Sequence, residues 1–491
     1  MMFKPKERSN YHWLSLLTIL IQLLASGVLL YFMYRLNIIP LKYMVIAVVI
    51  LYFLNLVFAL LLRGKETGVR KVSRVVSLVV SISLVFISFQ YLSQGVAFLN
   101  AITNKNVETH VVSVIVLADN PAETIKDMSG KTIGESAVGE QEYLSQAEAD
   151  INPRLGTPIS LSMYSDYEKL VNALYDGTVD GILLNDSHLA FVELIDSGFE
   201  SKTKVIYQYE KSEITNVDVS DKKVTKEAFS IYLSGIDTFG PVSQVSRSDV
   251  NLLITVNPVT KQILMVSIPR DYYVTLASKK AKDKLTHSGI YGINETITSV
   301  EQLIGIEIDY YARVNFTSVT SVVDALGGVT VTSPYDTFVT RYGNYTINPG
   351  ENNLNGDQAL GFVRERYSLP NGDGDRILNQ QRLMQALINK ALSPKIITNY
   401  SSILSSVADT IELSMGMDDL TALIQMQLND NAEWTFLSYA LDGQGTTSSN
   451  TFSMPGYNLY VMEPDYATVT QAAEYIRAIE SGQIITIPPK Q

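Results

Sequence analysis

The hydrophobic pattern of the first hundred residues consists of three long apolar runs. They extend over residues 13–34, 41–62 and 75–92. A helix needs roughly 20 apolar residues to cross the hydrocarbon core of a membrane, so the pattern predicts three transmembrane helices rather than three buried helices of a soluble domain. The first run continues well past the small residues at 25–27, which argues against a cleaved signal peptide.

Polar positions around these runs carry charge unevenly. Basic residues gather before the first run and between the second and the third, namely Lys4, Lys6, Arg8, Arg63, Lys65, Arg70, Lys71 and Arg74. Because basic loops stay on the cytoplasmic side of a membrane, the pattern predicts a cytoplasmic N-terminus. It also places everything after about residue 100 outside the cell. The expected location is therefore a bacterial cell membrane, as a multi-pass protein.

Residues 108–211 alternate between strand-like and helix-like patterns. Residues 111–117 and 179–184 have the pattern of buried strands, and residues 165–174 that of a helix with a serine cap. The alternation predicts a small α/β accessory domain that resembles one lobe of a solute-binding protein. It carries no ligand motif, so a spacer or interaction module is the simpler interpretation. The crowded polar stretch 212–227 is predicted to be a linker.

Beyond the linker, three β-like runs end or begin at charged residues. They cover residues 228–236, 250–256 and 261–268. If the second and third runs form a hairpin, Asp249 and Arg270 lie at the same sheet edge, where Asp237 and Arg247 could join them. Paired carboxylates without His or Cys suit Mg²⁺, which takes one or two carboxylates and completes its shell with water and phosphate. Solvated loop charges are the ordinary alternative.

A second charged cluster follows further along the chain. Arg364 and Arg366 are predicted to project from the same side of an extended segment, with Glu365 opposite. Two adjacent guanidinium groups suit bidentate capture of phosphate oxygens. Arg376 and Gln380 are four residues apart and share a face if a helix begins near the first of them. The alternative is an exposed charged strand and turn.

Composition narrows the chemistry. The 491 residues include no Cys and four His, which excludes disulfides and thiol nucleophiles and leaves little for an imidazole metal site or a Ser-His-Asp hydrolase. Residues 1–100 carry a charge of +8 against a total of −12, which leaves −20 for the rest. An acidic exterior is a poor footprint for nucleic acid, so no direct nucleic-acid binding is expected. Arginines gathered on such an exterior need an anionic partner.

Short motifs follow one another in a specific order. They are Ser234-Gly235-Ile236-Asp237, Ser246-Arg247-Ser248-Asp249, Ile268-Pro269-Arg270-Asp271, Asp324-Ala325-Leu326-Gly327-Gly328-Val329 and Gly361-Phe362-Val363-Arg364-Glu365-Arg366, followed by Asp373, Asp375, Arg376 and Gln380. In this order they resemble the LytR-CpsA-Psr family, in particular its streptococcal capsule-locus members. The three-span start and the α/β lobe are also similar to those members.

The resemblance implies an α/β fold with three N-terminal transmembrane helices, a small α/β accessory domain and an α-β-α domain with a central mixed sheet. The domain boundaries that follow are a membrane domain at 1–100, an accessory domain at 108–211, a linker at 212–227, a catalytic domain at 228–395 and a C-terminal extension at 396–491.

The activity that the resemblance implies is an extracellular phosphotransferase. It would move capsular polysaccharide, or another anionic glycan, from an undecaprenyl-pyrophosphate carrier in the membrane lipid to peptidoglycan. The implied cofactor is Mg²⁺, with Mn²⁺ as a substitute, and a pyrophosphatase side activity is compatible with the same site. Two other classes stay open: a membrane-bound regulator of capsule expression, and a receptor that uses the accessory lobe.

Residue roles carry over position by position from the same resemblance. Asp237 and Asp249 correspond to the metal ligands. The expected substrate-binding residues are Arg247, Arg270, Arg364, Arg366, Arg376 and Gln380. Of these, Arg270, Arg364 and Arg366 are also expected to be catalytic, together with Asp373 as a candidate base.

Overall fold

A computed structural model describes residues 10–36, 39–63, 67–93, 107–215, 220–393 and 410–488. Its first three helices are long and apolar enough to cross a membrane: α1 (Asn10–Leu36), α2 (Leu41–Leu61) and α3 (Gly68–Ile87). Three apolar helices were expected from the sequence, and this prediction is confirmed.

The third helix begins earlier than its apolar run. Thr67 caps it by accepting a hydrogen bond from the backbone N–H of Arg70 at 3.3 Å. Arg70 and Arg74, predicted to lie in the connection, are therefore helical. Their Nε atoms donate to the hydroxyl of Ser15 in α1 at 3.1 and 3.3 Å. Basic side chains thus join two helices at one end of the bundle.

The accessory region contains a five-stranded mixed sheet in the order β3-β2-β4-β1-β5. Its strands are β1 (Val107–Leu117), β2 (Thr132–Ser136), β3 (Ser160–Tyr164), β4 (Gly181–Asn185) and β5 (Thr203–Ile214). Its helices are α4 (Gln141–Ile151), α5 (Tyr167–Tyr175), α6 (Leu189–Ile195) and α7 (Phe199–Lys202). The predicted α/β alternation is confirmed.

Two local predictions in this region are wrong. The cap of α5 is Asp166 rather than Ser165, because the Asp166 carboxylate accepts the backbone N–H of Lys169 at 2.8 Å. The expected linker at 212–227 overlaps a strand, since β5 pairs with β1 as far as Ile214. Residues 216–219 of that stretch lie outside the described residues.

The larger α/β region is built around a six-stranded sheet in the order β16-β11-β6-β7-β8-β17. Strands of this region are β6 (Phe229–Ile236), β7 (Ser248–Asn257), β8 (Gln262–Ile268), β9 (Tyr273–Thr275), β10 (Lys282–Lys284), β11 (Tyr310–Val314), β12 (Val329–Ser333), β13 (Phe338–Val339), β14 (Thr346–Ile347), β15 (Gly350–Leu354), β16 (Ile411–Leu413), β17 (Thr435–Ala440), β18 (Gly443–Asn450) and β19 (Pro455–Pro464). Its helices are α8 (Leu285–Ser288), α9 (Ile293–Ile304), α10 (Phe316–Ala325), α11 (Gly356–Arg364), α12 (Asp373–Ala391), α13 (Met417–Asp430) and α14 (Tyr466–Glu480).

Both faces of the central sheet are buried, which explains the nearly continuous apolar strands. Tyr232 and Leu253 pack with α9 and α14 on one face, while Leu233 and Leu252 pack with α12 and α13 on the other. The result is the α-β-α arrangement that the sequence indicates. Strands β16 and β17 come from the predicted C-terminal extension, so the sheet crosses the expected boundary at 396.

Strand pairing brings the predicted charged ends to one sheet edge. Strands β7 and β8 form an antiparallel hairpin, with Asn251 opposite Ile268. Strand β6 is antiparallel to β7, with Ile236 opposite Ser248. The end of β6, the start of β7 and the end of β8 therefore meet, as the hairpin prediction required.

Candidate functional site

A cavity of about 450 Å³ opens at this sheet edge. Seven of the nine predicted site residues line it: Asp237, Asp249, Arg270, Arg364, Arg366, Arg376 and Gln380. The other two, Arg247 and Asp373, are not among its described lining residues. Four separate chain segments supply the seven, so the cavity exists only in the folded protein.

Each predicted carboxylate of the site is paired with a guanidinium group. Arg247 Nη2 lies 2.7 Å from Asp237 Oδ2, and Arg270 Nη1 lies 2.5 Å from Asp249 Oδ2. At the start of α12, Arg376 Nη2 lies 2.9 Å from Oδ1 of Asp373, which is three residues earlier. Arg247 and Asp373 thus contact the cavity lining through ion pairs.

Asp249 is held at both carboxylate oxygens. Thr286 donates its hydroxyl to Oδ1 at 2.8 Å, and its backbone N–H donates to the carbonyl of Arg270 at 2.8 Å. Burial raises the pKa of the Asp249 carboxyl, but the charges of Arg270 and Arg247 outweigh burial and lower the pKa below its usual range. Asp249 is therefore ionised at neutral pH. Sequence spacing gave no signal for the role of Thr286.

Arg364 and Arg366 line the cavity from the end of a helix and the turn after it, and not from the predicted strand. Helix α11 ends at Arg364, and the next residue, Glu365, is buried at 2% exposure. Its carboxylate accepts the backbone N–H groups of Arg341, Arg366, Tyr367 and Ser368. The prediction of an extended segment is wrong. The backbone after Glu365 turns so that its N–H groups donate to the Glu365 carboxylate.

Aromatic rings hold the exposed arginines at the mouth of the cavity. The Cζ atom of Arg364 lies 4.2 Å from the ring centre of Phe316 and 4.8 Å from that of Tyr342. Arg341 and Arg366 both stack on Tyr367, at 4.0 and 4.6 Å. Arg341 lines the cavity although it was not predicted. The sequence signal that could have indicated this residue is the adjacent aromatic residue, Tyr342.

The inner arginines retain unused hydrogen-bond donors. Within the described part of the chain, the buried Nε atoms of Arg270 and Arg376 have no hydrogen-bond acceptor. A buried donor without a partner costs roughly 1–3 kcal/mol. Five arginines and three carboxylates line the cavity, and one of those carboxylates, Glu365, is occupied by backbone N–H groups. The site therefore has an excess of positive charge and donors suited to an anion.

Much of the remaining cavity wall is apolar. Its apolar part consists of Leu233, Ile236, Val250, Leu252, Val314, Phe316, Val319, Leu360, Val363, Leu383, Met384 and Leu387. Leu383, Met384 and Leu387 follow Arg376 and Gln380 along the same helix, α12. A ligand with an anionic head and a hydrocarbon tail would match both parts of this cavity.

Residues 189–471, more than half of the chain, match the LytR_cpsA_psr family. The chain belongs to this family. The resemblance drawn from the motifs is confirmed at that level, while the likeness to capsule-locus members stays a prediction. Most of the accessory sheet lies before the matched region.

Curated relatives are named as transferases. The polyisoprenyl-teichoic acid–peptidoglycan teichoic acid transferase TagU of Bacillus licheniformis is 35% identical over 221 residues, which cover 45% of this chain and 70% of that protein. The protein of the same name from Enterococcus faecalis is 35% identical over 224 residues, covering 45% and 71%. The crystal structure of B. subtilis TagV is 26% identical, covers 53% of this chain and 99% of that chain, and gives a TM-score of 0.44.

Two carboxylates of the cavity are of the ligand type that suits a hard divalent ion. Asp237 and Asp249 line the same cavity, and oxygen ligands are those that Mg²⁺ prefers. Within the described residues, no group of three or more His, Cys, Asp or Glu side chains could hold a metal. Mg²⁺ can be held by two carboxylates if substrate phosphate and water supply the other ligands. Substrate phosphate would therefore have to complete the coordination shell.

Proposed function

We propose that this protein transfers an anionic glycan from an undecaprenyl-pyrophosphate carrier to peptidoglycan on the outer side of the membrane, with capsular polysaccharide as the glycan. The observation that carries the proposal is that a guanidinium cluster and an apolar wall line the same cavity. The names of the relatives, which pair a polyisoprenyl donor with peptidoglycan, support the donor and acceptor classes.

The proposed reaction is a phosphoryl transfer. A muramic acid hydroxyl of peptidoglycan attacks the phosphorus that carries the glycan and forms a new P–O bond. The bond from that phosphorus to the bridging oxygen breaks, and polyprenyl phosphate leaves with the electron pair. Such reactions need positioning and charge stabilisation more than covalent chemistry by the protein, which is what Arg270, Arg364, Arg366 and Arg376 offer.

The proposed reaction also needs a proton acceptor. The attacking hydroxyl must lose its proton, and Asp373 is the proposed acceptor. Its Oδ1 lies 2.9 Å from Arg376 Nη2 at the start of α12. Asp373 would have to turn from this ion pair toward the cavity to accept a proton. Loss of Asp373 would also leave Arg376 without its ion-pair partner. This would reduce transfer as directly as the loss of a base.

Part of the apolar wall packs with a helix, α13, that also contacts the membrane helix α2. Met384 of α12 and Leu420 of α13 pack in one cluster. At the end of α13, the carbonyl of Asn429 accepts a hydrogen bond from Lys42 Nζ at 2.7 Å. Lys42 lies in the first turn of α2. A lipid tail could therefore pass from the bilayer to the cavity along α12 and α13.

Mg²⁺ is proposed as the cofactor, held by Asp237 and Asp249. When bound, it would neutralise charge on the phosphate oxygens. Asp249→Ala should then mimic metal removal: full-length protein in detergent should lose the response of its transfer rate to added Mg²⁺. If the variant still responds to Mg²⁺ as the parent does, Asp249 is not a ligand.

The proposed function is tested by glycan attachment to the cell wall. Arg270→Ala and Arg364→Ala should each reduce attachment more than tenfold, a loss of about 1.4 kcal/mol or more in transition-state stabilisation. Arg477→Ala is the matched control, because this arginine caps the loop at Gly305, where it donates to the carbonyl at 2.8 Å. Unchanged attachment in both site variants would refute the transferase assignment.

A further inference from the structure

The first strand of the accessory sheet places a carboxylate inside the catalytic domain. Glu108, in β1, is 8% exposed, and its Oε1 accepts a hydrogen bond from Arg313 Nη2 at 2.5 Å. The same oxygen accepts the backbone N–H of Ile293 at 2.7 Å. Arg313, in β11 of the central sheet, is 3% exposed. A buried ion pair therefore joins the two α/β regions.

The surroundings of Glu108 are shaped to hold it. Gly292 has a φ of +96°, and a Cβ atom there would lie 2.7 Å from Glu108 Oε2, so a larger residue would displace the carboxylate. On the other side of Arg313, Nη1 lies 3.5 Å from Oε2 of Glu412 in β16. Arg313 is thus enclosed by carboxylates from two directions, and its place depends on both.

The neighbouring residue of β1 contacts the segment that joins Asp237 to Arg247. Thr109 donates its backbone N–H to the carbonyl of Ser243 at 2.8 Å, and Val245 donates its N–H to the carbonyl of Thr109 at 3.0 Å. Ser243 and Val245 lie in the segment between Asp237 and Arg247. That segment is therefore bound to the accessory strand near its middle, and its first residue, Asp237, lines the cavity.

Arg313 leads into a wall of the cavity that adjoins the same segment, because Phe316 donates its backbone N–H to the carbonyl of Thr238 at 3.2 Å. Arg313 pairs with Ser234 in the parallel ladder between β11 and β6. The three residues that follow Arg313 in the sequence all line the cavity: Val314, Asn315 and Phe316. Phe316 is also the ring on which Arg364 stacks. Two consecutive residues of the accessory strand therefore contact Arg313, which directly precedes a cavity wall, and the segment that joins Asp237 to Arg247.

We propose that Glu108 is a positioning residue: through Arg313 and the adjoining strand contact, the accessory domain fixes the Asp237–Arg247 segment and the Val314–Phe316 wall in the geometry that binds the pyrophosphate head. Buried ion pairs add little net stability but can specify a unique arrangement. The accessory domain is then a structural part of the active site and not a detached spacer. The effect on pyrophosphate binding rests on the proposed function. The effect on the order of the Asp237–Arg247 segment does not.

The test uses full-length Glu108→Gln in detergent. Glutamine keeps an acceptor for the N–H of Ile293 but removes the charge that faces Arg313. Amide hydrogen exchange at residues 238–246 should become at least tenfold faster, and the dissociation constant for geranylgeranyl pyrophosphate with Mg²⁺ should rise at least tenfold. The matched control is Glu123→Gln, whose carboxylate pairs with Lys204 at the surface of the same domain; it should change neither quantity.

A disulfide rescue separates positioning from a general loss of folding. The chain has no Cys, and the hydroxyl oxygens of Thr109 and Ser243 are 3.3 Å apart. Thr109→Cys with Ser243→Cys, added to Glu108→Gln, should restore exchange protection and probe binding when oxidised and lose both when reduced. Failure of the oxidised protein to recover, or parental exchange and binding in Glu108→Gln itself, would overturn the proposal.

The two proposals fail in distinguishable ways. If the parent protein neither binds the probe nor transfers glycan, the proposed function is refuted, while hydrogen exchange still decides the role of Glu108. If the parent transfers glycan and Glu108→Gln matches it in exchange and in probe affinity, only the positioning role is refuted.

Discussion

Carboxylates at the edge of the central sheet differ from two buried carboxylates of the accessory domain in the charges that surround them. At the edge of the central sheet, Asp237 and Asp249 each face an arginine, and the pKa of Asp249 is lowered. In the accessory domain, burial raises the pKa of Glu140 to about 7 and that of Asp186 to about 6. The opposite pKa directions follow from the neighbours, because among the described residues arginine pairs with Asp249 but with neither Glu140 nor Asp186.

Cavity size follows the same division. The cavity at the central sheet has about 450 Å³, whereas the one beside Glu140 and His188 has about 10 Å³. A volume of that size holds about one water molecule. A receptor for a sizeable solute in the accessory lobe gains no support from this cavity, while the central cavity has both the room and the charge for a pyrophosphate.

The largest effect is expected where the charge compensation of the central site is broken. Arg270→Met leaves Asp249, 14% exposed, without its main charge partner. Breaking a buried pair costs about 3–5 kcal/mol, so the free energy of unfolding should fall by about 3 kcal/mol in denaturant titrations of the full chain. Binding of geranylgeranyl pyrophosphate should fall more than tenfold.

A double variant separates the two losses. Asp249→Asn with Arg270→Met removes both charges, and it should recover most of the stability without recovering probe binding. If Arg270→Met is as stable as the parent, Asp249 is not held by this pair, and the contrast between the two sheets disappears.

Sequence patterns predicted those parts of the site that depend on local order. Apolar runs bounded by charge located β6, β7 and β8, and strand pairing then placed Asp237, Asp249 and Arg270 at one edge. These predictions succeed because a hairpin fixes which strand ends meet.

The missed features depend on contacts between distant residues. Glu365 accepts N–H groups from its own turn and from Arg341, 24 residues away, and this turns an expected strand into a helix end. The contact between Glu108 and Arg313 spans 205 residues. No periodicity marks such pairs, since each residue alone has the pattern of an ordinary charge beside an apolar strand.

The second effect concerns the accessory carboxylates. Burial raises the pKa of Glu140 to about 7 from an ordinary value of 4.5, with Glu108, Glu142 and Glu213 adding to the rise and Lys279 opposing it. A folded pKa above the unfolded one means that stability is complete below about pH 4.5 and is lost as pH rises through 7. Glu140→Gln should therefore raise the free energy of unfolding by about 2 kcal/mol at pH 8.

The pH dependence provides the control for this variant. At pH 4.5 the gain should largely vanish, because the parent carboxyl is then protonated in the folded state. His110, whose Nδ1 lies 3.8 Å from Glu140 Oε2, has a pKa lowered chiefly by burial and is neutral at pH 8, so it does not contribute there. An equal gain at both pH values would show that Glu140 is not the titrating group.

The smallest effect distinguishes two arginines that stack on tyrosine, one in each region. Arg341 lies over Tyr367 at the cavity mouth, and Arg154 lies over Tyr207 in the accessory domain, where it also pairs with Asp150. Both are exposed, and contacts of this kind in solvent contribute little to stability. Arg341→Ala should weaken binding of geranylgeranyl pyrophosphate about threefold to fivefold, equivalent to roughly 1 kcal/mol, with unchanged stability.

Arg154→Ala is the matched variant and should give the reverse result, a small loss of stability with parental probe affinity. The difference follows from what each arginine faces: Arg341 adjoins a cavity with an excess of positive charge, whereas the Arg154 guanidinium is satisfied by Asp150 at 2.9 Å. Equal probe affinities for the two variants would mean that the exposed mouth of the cavity adds nothing to recognition. Anion binding would then depend on the inner arginines, Arg270 and Arg376, whose Nε donors are still unused.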